Sequence, residues 1–120
     1  MDTDILVIKL CMEGTHCEFE GRKKAACELY RQAWDAARDD YEACIAAHYM
    51  ARCTDSPDEI FHWNQLALDR ASAVEDDRVK DFYPSLYVNL GRSYELLGNA
   101  AEAKKYYDLA ARLGFPHQPE

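Results

Sequence analysis

Five residues return in one ungapped register. Gly14, Gly21, Ala26, Tyr30 and Ala33 come back 77 positions later as Gly91, Gly98, Ala103, Tyr107 and Ala110. Small residues let two helices approach closely, and glycine also supplies the left-handed backbone that ends a helix in a tight turn. A tyrosine at a fixed offset fills the space between such helices. The recurrence predicts the same helical hairpin built at both ends of the chain. Glycine and proline are scarce and sit at the edges of apolar-periodic stretches, which favours an all-α chain.

The later copy is the more complete. In "YVNLGRSYELLGNAAEAKKYYDLAARLG", Tyr87, Leu90, Gly91 and Tyr94 read aromatic-x-x-Leu-Gly-x-x-Tyr on one helix. Gly98-Asn99 supplies a turn, and Ala103, Tyr107 and Ala110 mark a second helix. This spacing resembles the tetratricopeptide repeat, a helix–turn–helix unit with a period of about 34 residues. Tyrosine stands where the pattern prefers tryptophan and phenylalanine, and Pro116 lies near its closing proline. The first copy departs from the pattern at Glu13 and Cys17.

A separation of 77 is two periods of about 34 plus nine residues, so a middle unit is expected. Placing Ala67 one period after Ala33 gives it, with helices in "YEACIAAHYMARC" and "PDEIFHWNQLALDRASAV". Before the second, Ser56 can cap, Pro57 suits the first helical position and Glu59 would close a capping box. The middle unit is degenerate: His48 replaces glycine, Ile60 replaces alanine and Asn64 replaces the aromatic, with Trp63 as a neighbouring substitute. The extra residues fall at 75–83 as a lengthened linker or extended helix ends, and Pro84 belongs in the next helix's first turn.

The resemblance implies one domain over 1–120, a right-handed α-α superhelix of three helical hairpins (about six helices) with repeats at about 7–40, 41–74 and 84–117. Family members usually carry a further helix after the last repeat, and "GFPHQPE" is too short and proline-rich to be one. An apolar edge at Leu109, Leu113 and Phe115 is therefore expected, to be covered in a homodimer or by the rest of a longer array.

The net charge of −8 argues against nucleic acid or an anionic membrane surface as partner, because either needs a basic footprint. No apolar run is long enough to span a bilayer. Five irregularly spaced cysteines read as reduced thiols in a cytoplasm rather than a disulfide framework. Cys44, His48 and Cys53 could form a partial metal face, but buried thiols and a core or groove histidine are the simpler reading. His62-Trp63-Asn64 cannot converge on one helix face; Trp63 reads as packing between repeats and His62 as exposed. No nucleophile elbow, phosphate loop or zinc-protease pair is present, so neither enzyme, cofactor nor metal is expected.

What the resemblance implies instead is a scaffold that binds a peptide or helix of another protein in a groove lined by the first helix of each hairpin. Carried over by position, the groove residues are Tyr49 and Arg52 in the middle unit and Asn89, Arg92 and Glu95 in the last. Leu96 lies beside Glu95, and Cys11 and Thr15 are the counterparts in the first unit. Asparagine can clamp a peptide backbone with a donor and an acceptor, and arginine can grip a carboxylate with both arms. Alternatively, the arginines pair with Glu42 or Glu95 in a solvated groove.

Overall fold

A computed structural model describes residues 4–114. Among them run six α-helices: α1 (Leu6–Phe19), α2 (Lys23–Ala36), α3 (Asp40–Met50), α4 (Pro57–Ser72), α5 (Tyr83–Leu96) and α6 (Ala100–Arg112). No strand occurs among the described residues. Helices pack as consecutive hairpins, α1 with α2, α3 with α4 and α5 with α6; α2 also packs on α3, and α4 on α5. Phe115 and Pro116 lie outside the described residues.

The two outer turns close identically. Gly21 and Gly98 adopt φ of 78° and 80°. Their amides donate to Glu18 O and Glu95 O at 3.0 Å each, while the next amides, of Arg22 and Asn99, donate to Cys17 O at 2.9 Å and Tyr94 O at 2.8 Å. This is the Schellman arrangement, and it satisfies carbonyls that a helix end leaves open.

Inside each outer hairpin the glycine meets the tyrosine. A Cβ on Gly14 would lie 2.8 Å from Tyr30 Cδ1, and one on Gly91 would lie 2.8 Å from Tyr107 Cδ1. Tyr30 is fully buried, with Ala26 and Ala33 beside it on α2. Ala103 and Ala110 are buried at the equivalent places on α6.

The middle hairpin starts from strong caps. Asp39 Oδ1 accepts from the Glu42 amide at 2.9 Å to begin α3. Glu42 itself is buried, and Arg38 donates to it at 2.8 Å, which holds its carboxyl below the usual range. Ser56 caps α4, accepting from the Glu59 amide at 3.4 Å, with Pro57 in the first turn as expected. The expected reciprocal box is replaced by a relay. The Ser56 amide donates to Thr54 Oγ1, and that hydroxyl donates to the Glu59 carboxylate. Trp63 packs edge-on against Trp34 of α2 with ring centres 5.2 Å apart, and His62 is exposed.

Residues 75–83 contain a 3₁₀ helix, Asp77–Phe82, that packs back on the domain. Val79 is buried, Phe82 meets Tyr41 edge-on at 6.4 Å, and the Arg78 guanidinium sits 4.3 Å over the Tyr41 ring. Pro84 then lies in the first turn of α5.

One expectation is corrected. Cys27 on α2 and Cys53, at the end of a 3₁₀ turn Ala51–Cys53 after α3, form a disulfide with Cα atoms 5.6 Å apart. Stacking of the first two hairpins brings together thiols 26 positions apart, which the spacing along the chain did not reveal. Cys11, Cys17 and Cys44 are free and buried.

Gly14→Ala and Gly91→Ala are each expected to lower stability by about 1–3 kcal/mol through overpacking, as is Ala103→Leu. Gly98→Ala meets no atom within 4 Å, so it should cost only the left-handed backbone strain of about 1–2 kcal/mol. Urea midpoints measure all four; an unchanged midpoint for Gly91→Ala would show that the close contact is absent in solution.

Candidate functional site

The repeated glycine–tyrosine pair is absent from the middle hairpin. At the corresponding places stand His48 on α3 and Asn64 on α4, a large residue for the glycine and a small one for the tyrosine. Around them lies a cleft of about 220 Å³ between the middle and last hairpins. His48, Ala51 and Arg52 line it from α3 and its 3₁₀ turn, Ile60 and Asn64 from α4, and Asn89, Arg92, Ser93 and Leu96 from α5.

A polar network forms its floor. Asn64 is buried, and its Nδ2 donates to Ser93 Oγ at 2.7 Å and to the Asn89 carbonyl at 3.4 Å. Ser93 Oγ in turn donates to the same carbonyl at 2.9 Å. Asn89 Nδ2 lies 3.2 Å from His48 Nδ1. An amide nitrogen only donates, so Nδ1 accepts and the ring proton sits on Nε2. Burial, then the nearby Arg52 charge, lowers the His48 pKa and keeps the ring neutral.

The residues carried over from the sequence separate into two sets. Arg52, Asn89 and Arg92 meet at the cleft, with Leu96 at its rim. Arg52, however, spends its guanidinium on Glu18 of α1, with Nε at 2.7 Å and Nη2 at 2.9 Å. That grip, more than any other contact, lowers the Glu18 pKa. Glu18 also accepts from the Tyr30 hydroxyl at 2.5 Å. Burial first, and then that bond, pushes the hydroxyl up to about 12. Glu42 pairs with Arg38, so neither cleft arginine uses it. Arg92 is exposed and forms no ion pair among the described residues.

Tyr49 and Glu95 lie outside the cleft lining. Tyr49 stacks on Tyr30 with ring centres 5.1 Å apart, and Glu95 accepts from the Tyr107 hydroxyl. In the first hairpin Cys11 is buried, and Thr15 Oγ1 donates back to the Cys11 carbonyl at 2.9 Å. Ile45 and Val88 are core residues and give the cleft no apolar surface. Cys53 is bonded to Cys27, so Cys44, His48 and Cys53 form no common ligand face.

Residues 84–113, spanning α5 and α6, match the family model of the tetratricopeptide repeat. The last hairpin is similar to a tetratricopeptide repeat. The match covers the last hairpin, whose glycine–tyrosine contact and turn recur in the first, while the middle hairpin keeps the helices and changes the contact. No curated protein and no solved structure matches the chain. A tetratricopeptide repeat is a protein–protein interaction module, and the repeat's first helix, α5, supplies Asn89, Arg92 and Ser93 to the cleft.

Asn64 and Ser93 were not among the groove residues expected from sequence, and His48 was expected only as a core or groove histidine. The signal for His48 and Asn64 was present as a pair of departures 16 positions apart, at the same offset as Gly14–Tyr30 and Gly91–Tyr107.

The pH dependence follows from His48. Its folded pKa lies below the ordinary 6.5, so the unfolded chain binds the proton more readily and stability falls as pH drops below about 6.5. Thermal midpoints taken from about pH 7.5 to 5.5 should decline, and His48→Gln should flatten that decline. The lowered carboxyls of Glu18 and Glu42 act at lower pH, because they lose stability only below about 4.5.

Proposed function

We propose that the protein is a non-enzymatic scaffold that binds an extended peptide segment of a partner protein at the cleft between its middle and last hairpins. The observation that carries this reading is the cleft itself: an exposed arginine, Arg92, in no ion pair among the described residues, beside an asparagine already held by its neighbours. Arg92 supplies the grip for an acidic side chain, and Asn89 and His48 supply backbone-scale hydrogen bonding. Arg52 shapes the wall through Glu18 and is a strut more than a ligand contact.

Each hairpin reads as one repeat copy, with Asp77–Phe82 as the insertion before the last. The extended-peptide form is favoured over a docked amphipathic helix because the cleft is small, and a helix needs a long apolar groove. The net charge of −8 fits neither nucleic acid nor an anionic membrane, and no described helix is long and apolar enough to cross a membrane.

Homodimerisation is the second reading, supported by Leu113, which stays 54 % exposed at the end of α6. Light scattering across a range of concentrations separates the two: a dimer whose cleft remains open to peptide satisfies both, and a strict monomer removes the second.

The direct test is selection of a random peptide library on the intact protein, followed by amide chemical-shift mapping. Enriched peptides should be acidic and should perturb His48, Asn64, Asn89 and Ser93. Arg92→Ala should change stability by no more than about 0.5 kcal/mol, yet weaken those peptides about tenfold or more, the scale of one lost charged hydrogen bond. Arg52→Ala should instead lower stability by up to about 1 kcal/mol, because it strips Glu18 of its partner. Peptides that bind Arg92→Ala and Asn89→Ala as well as the parent would overturn the reading.

A further inference from the structure

The disulfide lines a second depression, which shares no lining residue with the cleft. Cys27 and Cys53 are both half-buried and line a hollow of about 520 Å³, open to solvent. Its rim carries a small excess of cations on an acidic protein. Lys23, Lys24 and Arg31 line it together with two carboxylates, Glu28 and Asp55, of which Asp55 lies 3.9 Å from Lys23. The hollow has the size and charge to seat a small anionic molecule against the S–S bond.

From this we infer that Cys27–Cys53 is a thiol–disulfide exchange site for a small anionic thiol of the glutathione class, and that its redox state sets how firmly the Ala51–Cys53 turn is held. A thiolate attacks one protein sulfur, the S–S bond breaks, and the other cysteine leaves as a thiolate and takes a proton. A second thiolate attacks the mixed disulfide, releases the small-molecule disulfide and frees the remaining cysteine. Two electrons enter the protein, and the small disulfide reverses both steps. Lys24 and Arg31 favour approach of the anionic thiol.

The remaining thiols do not compete. Cys11, Cys17 and Cys44 are buried, and burial pushes the first and last up to about 12. What the pair controls is visible in the chain order. Cys53 ends a three-residue turn whose middle residue, Arg52, reaches Glu18 on α1 and also lines the cleft. Oxidised, the turn is tied covalently to α2; reduced, it keeps its packing on α3 and α4 and the Arg52–Glu18 pair but loses that tie. The consequence for peptide binding rests on the function proposed above, whereas the exchange chemistry does not.

The test uses the intact protein in reduced and oxidised glutathione mixed at graded ratios, quenched with N-ethylmaleimide and read by mass. Two cysteines, located by peptide mapping to Cys27 and Cys53, should pass together from unlabelled to labelled as the ratio rises, without denaturant. Lys24→Glu with Arg31→Glu should slow exchange with glutathione about tenfold, the lower end of electrostatic steering, and leave exchange with neutral 2-mercaptoethanol within about twofold. The Arg52 Nε–Hε resonance should shift on reduction as its bond to Glu18 loosens. A pair that stays oxidised at every ratio, a charge change that slows both thiols alike or neither, or an Arg52 resonance indifferent to reduction would each overturn the inference. None of these readouts requires a bound peptide, so failure of the peptide reading leaves them intact.

Discussion

Contact between a bare glycine backbone and a tyrosine ring sets the geometry on which the rest depends. In the first and last hairpins the ring lies where a Cβ would have to be, so the two helices meet at a distance no other residue allows. Close packing of this kind is intolerant of even one added carbon, because protein interiors have few voids into which a neighbour can shift. Alanines flank the tyrosine on its own helix and let the rest of the interface settle to the same spacing. The glycine turns then only have to reverse the chain, which two helix-ending hydrogen bonds accomplish at each site.

Where that contact is exchanged for another, the cleft opens. His48 takes up room that a glycine would leave, and Asn64 gives back room that a tyrosine would fill, so the helices still pair while both side chains make polar contacts with α5. A buried polar group carries a penalty unless bonded, and Asn64 meets it by bonding to both the side chain of Ser93 and the backbone of Asn89 across the joint. The join between the middle and last hairpins is thus made by hydrogen bonds at its floor and by Phe61 against Tyr94 beside it. Directional bonds of this sort hold a binding surface in shape better than apolar contact alone.

The helical hairpins at both ends were legible because glycine, alanine and tyrosine at fixed offsets report a local interface. Ser56-Pro57 and Pro84 marked helix starts for the same reason: their preferences act within one turn. The features that stayed hidden are tertiary. Glu18 and Arg52 are 34 positions apart, and only the stacking of α1 beside α3 engages the guanidinium of this cleft-lining arginine. Tyr49 was placed in a groove by position, yet its ring is taken up by Tyr30. His48 and Asn64 were each read as a lapse from the repeat, since a volume exchange is visible only when the two positions are treated as one pair. Residues 75–83 contain too short a periodic stretch to show that they would coil against Tyr41.

The placement of the aromatic residues divides the molecule optically. Both tryptophans, Trp34 and Trp63, sit in one edge-on pair at the seam between α2 and α4. The last hairpin instead carries a run of touching tyrosines, Tyr83, Tyr87, Tyr106 and Tyr94, and no tryptophan. Light absorbed selectively by indole therefore samples the first seam alone, and tyrosine near-ultraviolet dichroism is weighted toward the last hairpin. In a stack held together by neighbour contacts, that separation lets the loss of one end be followed independently of the other without attaching a dye.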